Sequence, residues 1–392
     1  MRLILACAGL VLCALFLVGC NINAPQEVEV VAVMPPDGAF GQAPETLADD
    51  VATLTAGSLR LTILTPAAAA VSVSEIFDRV DAGDLDLAVA PPAAFAVSGE
   101  PLSIGPLLVS GMPFGFKAHE FLAWYLGAGG RELVQEIYDR RSAHGNTLLL
   151  PLVVTSSEPP GFFTEPVPDD PDAFDQSGIT YRINMLGAKV MKEAFPNIKL
   201  VSSPPGVVPV DDLCEGRIQG AELGTLSVYP TLFVERFSHE KGQNIVECGF
   251  RHLYLSSWQQ LMLSNWLIVN KTFFDSLDSH EQHAIRTAAL AQLTRSLSTD
   301  LAAGADVAAQ FAAAGATIHG SLPPAILERL REATAVVAAR ESSVDADFAA
   351  LVESMRTFAR RNHAGLLYDG VAPDRRFNLL PGWQPEYETQ TH

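Results

Sequence analysis

The sequence predicts an α/β protein, and three features carry that prediction. Segments with a helical period and segments with a strand period alternate over residues 45–90. The same alternation returns over residues 179–221, and the last third reads as helix. At 48% hydrophobic and 18% charged, the 392-residue chain is globular and can bury a large core. Its length suits two or three folding units of roughly 100–200 residues each.

Met1 and Arg2 open the chain, and residues 3–18 are apolar throughout. That stretch is shorter than a membrane span of about 20 residues and suits a secretory signal peptide. It ends Leu17-Val18-Gly19-Cys20, which resembles the bacterial lipoprotein signal, with cleavage before Cys20 and lipid on its thiol. The alternative is an ordinary signal peptide or an anchor helix that contains a cysteine. Of the five cysteines, Cys7 and Cys13 would leave with the signal and Cys20 would carry lipid, so Cys214 and Cys248 remain. They form either one disulfide, as export permits, or two buried thiols.

Residues 20–44 are expected to hold a tether and a first strand. Residues 45–55 place Leu47, Val51 and Leu54 on one helical face, with Gly57 as the stop. Residues 59–64 alternate Leu59, Leu61 and Ile63 with Arg60 and Thr62, a strand period. Residues 74–82 read as a short helix closed by Gly83, and 85–90 as a strand. The pattern repeats as strand 179–183, helix 186–194, strand 198–201 and a helical turn 211–215 before Gly216. Ala82-Gly83-Asp84-Leu85 and Glu215-Gly216-Arg217-Ile218 echo each other: each glycine suits the left-handed stop that releases a helix into a strand. Ser279 and Gln282 read as a capping box opening a helix to about Leu297. Pro323 and Pro324 begin another, with Ile326, Leu330, Ala333 and Val337 on one face. Phe348, Leu351, Val352, Met355 and Phe358 mark a last stripe, and an irregular tail is expected over 362–392.

The formal charge of -19 argues against a nucleic-acid partner, which needs clustered Lys and Arg. It does not exclude an anionic ligand, because one buried arginine reverses the local sign. Signals for catalysis are missing: there is no G-x-S-x-G elbow, Walker loop or H-E-x-x-H helix. Gly127-Ala128-Gly129-Gly130 reads as a break between two helices. His280 and His283 read as a solvated helix face without a third metal ligand. No enzyme is indicated.

The run Gly111-Met112-Pro113-Phe114-Gly115-Phe116 is followed in order by Glu120, Trp124, Gly129-Gly130, Glu132-Leu133 and Glu136-Ile137-Tyr138. Further on come Gly161-Phe162-Phe163, Arg182, Gly187, Gly216, Ala221-Glu222, Trp258 and Asn270. This ordered set, spread over residues 45–360, resembles the solute-binding subunit of tripartite ATP-independent periplasmic (TRAP) transporters, a DctP-like family. The pattern after Leu322, with Phe348 and Phe358, is most similar to its 2-oxo acid-binding branch.

The resemblance implies a two-lobed, type II-like periplasmic binding fold with a hinge and a long C-terminal helix spanning both lobes. Lobe I would take residues 45–152 with a return segment at about 250–285. Lobe II would take 153–249, and residues 286–361 would form helices across both. It implies capture of a small carboxylate by lobe closure and delivery to a membrane permease, without hydrolysis. Arg182 would grip the substrate carboxylate, a task for which a planar guanidinium has the right geometry. Trp258, Phe162 and Phe163 would line the cleft. No cofactor is required, but Na+ or another cation beside the ligand would be held at Glu158, Glu222 and Leu223. A homodimer through the C-terminal helices is permitted. The chain departs from the family at Leu223, where an aromatic is usual, at Ser256-Ser257-Trp258 and at Pro160-Gly161-Phe162-Phe163, so the cleft is altered. A ligand-presenting sensor co-receptor and an envelope lipoprotein with a degenerate cleft are the rival readings.

Overall fold

The computed structural model describes residues 24–33, 38–94, 104–203, 209–228 and 244–368. The signal segment, Cys20 and residues 369–392 lie outside the described residues. Among those described, no helix is long and apolar enough to cross a membrane.

Two sheets organise the chain. The first has strand order β2-β1-β3-β10-β4, with β1 (Gln26–Ala32), β2 (Leu59–Leu64), β3 (Leu87–Ala90), β4 (Thr147–Val154) and β10 (Ser264–Asn270). β1 runs parallel to β2 and β3, whereas β10 runs antiparallel to β3 and β4. The second sheet has order β11-β9-β5-β8-β6-β7. Its strands are β5 (Gly161–Phe163), β6 (Thr180–Arg182), β7 (Lys199–Val201), β8 (Gly220–Ala221), β9 (His252–Tyr254) and β11 (Thr317–His319).

The expected strand alternation is visible in β2, where Leu59 and Leu61 are buried while Arg60 and Thr62 face outward. Gly83 and Gly216 both adopt left-handed backbone, at φ 83° and 72°, and each follows a short helix. The chain then enters β3 in one sheet and β8 in the other, so the echo between these segments is structural.

Each sheet is covered by apolar packing on both faces, as mixed α/β sheets require. Val31, Phe77, Leu108, Trp124, Trp266 and Phe348 belong to one cluster against the first sheet. Tyr181, Val190, Phe195, Ile326, Leu330 and Val337 belong to one against the second. The chain crosses between sheets at residues 155–160, between β4 and β5, and returns at 255–263, between β9 and β10. These crossings run beside each other: Thr155 N–H donates to Leu263 O at 2.9 Å, and Glu158 N–H to Gln260 O at 2.9 Å.

A third connection is the helix Ser279–Ala313, whose 35 residues span about 52 Å at 1.5 Å per residue. Ile285, Ala288 and Ala289 pack with the first sheet, whereas Val307 packs with the second. The fold is therefore a two-lobed α/β architecture with a long helix across both lobes. The loop 111–116 divides in the same way. Phe114 enters the second-sheet core, Phe116 the first, and Phe114 N–H donates to Trp258 O at 2.7 Å.

Several expectations need correction. The first helix is Gly38–Leu54, beginning before Glu45 and running through Pro44. The cap of the long helix is Asp278 with Glu281, not Ser279 with Gln282. Asp278 accepts the N–H groups of His280 and Glu281 at 2.8 Å, and a carboxylate is a good partner for those free donors. That helix continues beyond Leu297 to Ala313, because its later residues reach the second lobe. The final helix, Ala346–Tyr368, extends past Asn362, where an irregular tail was expected.

Candidate functional site

Backbone pairing brings the central residues together. β6 pairs with β8 in parallel register, Arg182 opposite Ala221, and Glu222 N–H donates to Arg182 O at 2.9 Å. Glu222 thus emerges beside Arg182 at the end of the sheet. On the other side β5 approaches β8 closely at Gly161, which has φ 110°. A Cβ there would lie 1.8 Å from Ala221 O, so glycine is the residue that fits. Glu158 comes from the first crossing and is held by an isolated antiparallel bridge to Gln260 on the second.

Arg182, Glu158, Glu222 and Gln260 are all buried, at 6%, 2%, 2% and 1% exposure. Arg182 Nη1 donates to Glu222 Oε2 at 2.7 Å and also to the Glu222 carbonyl, while its Nε donates to Ser203 Oγ at 3.1 Å. Both forked edges of the guanidinium are thereby partly engaged. Nη2 has no hydrogen-bond partner among the described residues. Gln260 Nε2 donates to Glu222 Oε1 at 2.6 Å, so all of the Glu222 carboxylate is held. Glu158 and Glu222 are close enough for their charges to interact. Burial, then the Glu222 charge, push the Glu158 carboxyl well above its usual pKa, with Arg182 opposing. Burial and the same two acids also raise the Tyr181 phenol, whose hydroxyl donates to Pro160 O at 2.6 Å.

One guanidinium faces two carboxyl groups, and three polar atoms nearby in the chain are unsatisfied. Glu158 Oε1, Gln260 Oε1 and Trp258 Nε1 are buried without a hydrogen-bond partner. Leaving such an atom unpaired costs about 1–3 kcal/mol, so a partner for any of them would be favourable. Two of them are acceptors that suit a cation. Arg182 Nη2 is a donor that suits an anion. Among the described residues no three His, Cys, Asp or Glu side chains form a metal cluster. A cation here would therefore need amide or backbone oxygens, or the ligand itself, to complete its shell.

No family model and no curated protein matches the sequence. Solved structures do match. One is a TRAP periplasmic solute-binding protein from Pseudoalteromonas atlantica with bound sodium and pyruvate. It is 19% identical at TM-score 0.72, over 88% of this chain and 97% of that one. A second, from Colwellia psychrerythraea with bound calcium and pyruvate, is 19% identical at TM-score 0.73, over 88% and 98%. A third, from Bordetella bronchiseptica, is a mixed-occupancy dimer with calcium and picolinate in one site. It is 18% identical at TM-score 0.71, over 89% and 96%. This chain has the TRAP solute-binding fold.

Within that fold, the cluster lies where the first crossing meets β6 and β8. The other residues named from the sequence are distributed around it. Trp258 is fully buried and packs on Phe114 with ring centroids 5.9 Å apart. Phe163 stacks on Tyr181, the residue before Arg182, at 5.3 Å. Phe162 points to the opposite side of β5, where its ring meets Phe311 of the long helix at 4.8 Å. Leu223 joins that same core cluster with Phe162 and Leu213. Cys214 and Cys248 are joined in a disulfide, 34 residues apart.

Sequence reading missed Gln260 and Ser203, which hold the two ends of the Arg182–Glu222 pair. Gln260 had one available signal: with Gln259 it forms a polar pair between Trp258 and the apolar Leu261-Met262-Leu263. Ser203 had none, since a serine after a strand is common. His280 and His283 are exposed, as a solvated helix face requires.

Proposed function

We propose that this chain is the extracytoplasmic solute-binding subunit of a TRAP-type secondary transporter. It would capture a small organic acid anion, a 2-oxo acid or related monocarboxylate, by closing its lobes, and deliver it to the membrane permease. The observation that carries this reading is the buried Arg182–Glu222 pair, whose Nη2 has no hydrogen-bond partner among the described residues, beside the segments that join the lobes. A guanidinium in a water-poor site is a strong carboxylate donor, and lobe closure removes the competing water.

The charge balance supports a cation beside the ligand. Arg182 offsets the Glu222 carboxylate, so an incoming acid would leave the site negative even while Glu158 keeps its proton. Glu158 Oε1 and Gln260 Oε1 fit a hard cation such as Na+ or Ca2+, with Glu222 and the Leu223 backbone as further candidates. The cation would supply positive charge against the ligand carboxylate. Membrane retention would come from lipid on Cys20, and Cys20→Ser would release the protein into the soluble fraction.

Thermal unfolding and titration calorimetry against a panel of 2-oxo acids, hydroxy acids and aromatic carboxylates, with Na+ or Ca2+, test the assignment. Arg182→Lys should weaken the best ligand by roughly 10- to 100-fold, as expected for losing a charge-assisted hydrogen bond. It should leave the fold intact, since lysine keeps a positive charge facing Glu222. Unchanged affinity would remove Arg182 from the site, and no binding across the panel would favour the degenerate-cleft reading.

A further inference from the structure

The long helix carries another buried carboxylate, Asp300, only 1% exposed. It makes no ion pair among the described residues. Its oxygens are instead taken by donors from two separate chain segments. Oδ2 accepts the Ser156 N–H at 2.8 Å and the Ser156 hydroxyl at 2.5 Å. Oδ1 accepts the Ser227 hydroxyl at 2.5 Å, and Ser227 Oγ lies 3.0 Å from that of the fully buried Thr225. One turn earlier, Ser296 Oγ bonds both the N–H and the carbonyl of Val154, at 3.1 and 3.0 Å.

The placement of these donors matters. Ser156 stands two residues before Glu158, in the first crossing. Ser227 follows Glu222 and Gly224 in the segment leaving β8. A buried carboxylate is stable only when its oxygens are fully bonded, which makes such a network intolerant of shifts in either segment. We propose that Asp300 is a positioning residue of the ligand site. From the long helix it holds the two segments that bring Glu158 and Glu222 face to face, without itself touching the ligand. The proposal rests on reading the Arg182 cluster as the ligand site.

The test compares Asp300→Ala, the milder Ser227→Ala and a control, Ser296→Ala, which removes the neighbouring helix-to-strand bonds but not the Asp300 network. Hydrogen exchange by mass spectrometry on the unliganded full chain reads the positioning directly. Titration with pyruvate in CaCl2 reads its consequence. Asp300→Ala should speed exchange across residues 155–160 and 222–228 by about tenfold or more, and weaken pyruvate by about tenfold, the effect of roughly one lost buried hydrogen bond. Ser227→Ala should do the same to a smaller degree and stands in if Asp300→Ala does not fold. Ser296→Ala should lower the melting temperature while leaving pyruvate affinity and exchange over 222–228 unchanged. If the Asp300 and Ser227 variants lose stability as the control does, with protection and affinity as in the parent protein, the proposal is overturned. Should the parent protein bind no pyruvate, the ligand reading fails for this probe, and the exchange measurement still decides whether Asp300 holds the two segments.

Discussion

Glu158→Gln exchanges a buried carboxyl for an amide of the same shape and leaves Arg182 and Glu222 as a matched pair. Burial and the Glu222 charge raise the folded-state pKa of Glu158 above the 4.5 of a free glutamate. Between that value and the raised one, the folded state binds more protons than the unfolded chain. Stability contributed by this group is therefore greatest at acid pH and falls as pH rises through that window. The slope approaches about 1.4 kcal/mol per pH unit while the difference of one proton persists, then vanishes above the folded-state pKa. The variant has no such proton, so parent minus variant should be flat at low pH and decline with rising pH. Urea denaturation of ligand-free protein in EDTA, at steps from about pH 4.5 to 8, measures it, and subtraction cancels the titrating groups that do not sense the Glu158 charge. A cation at 100 times its dissociation constant should restore about 2.7 kcal/mol to the parent protein and less to the variant. Parallel pH curves for the two proteins would refute the account of Glu158 as a destabilised, proton-retaining carboxyl.

Two further perturbations test the frame around the site. Cys214→Ser should destabilise the chain by roughly 3–4 kcal/mol, from the closure entropy of a 34-residue separation, and a reductant should do the same to the parent protein in urea melts. Gly161→Ala should cost about 1–3 kcal/mol or more, because its Cβ would strike Ala221 O and the φ of 110° is strained for alanine. Since Glu222 follows Ala221, ligand affinity should fall along with the denaturation midpoint; a variant that keeps both would show that β5 and β8 can separate locally.

Local chemistry made much of this protein readable in one dimension. Leu59 and Leu61 alternate with polar residues because a strand presents every second side chain to the core. Gly83 and Gly216 mark helix ends because left-handed backbone favours glycine. Arg182, Glu158 and Glu222 were picked out by their place in a family-like order, and the structure brings all three into one buried cluster. The sheets then decided what no local period encodes. Gln260 meets Glu222 across 38 residues of chain, and Ser156 meets Asp300 across 144. Phe162 and Phe163, adjacent in sequence, face opposite sides of β5, one toward Phe311 and the other toward Tyr181. The capping box moved by one residue because Asp278-Ser279-His280-Glu281 and Ser279-His280-Glu281-Gln282 both satisfy the capping pattern, and the carboxylate at Asp278 was the one the helix took. Sequence periodicity determines which face of an element is apolar. Which distant polar atoms share that face depends on how the two sheets are joined, and the unsatisfied oxygens of Glu158 and Gln260 exist only once that joining has excluded water.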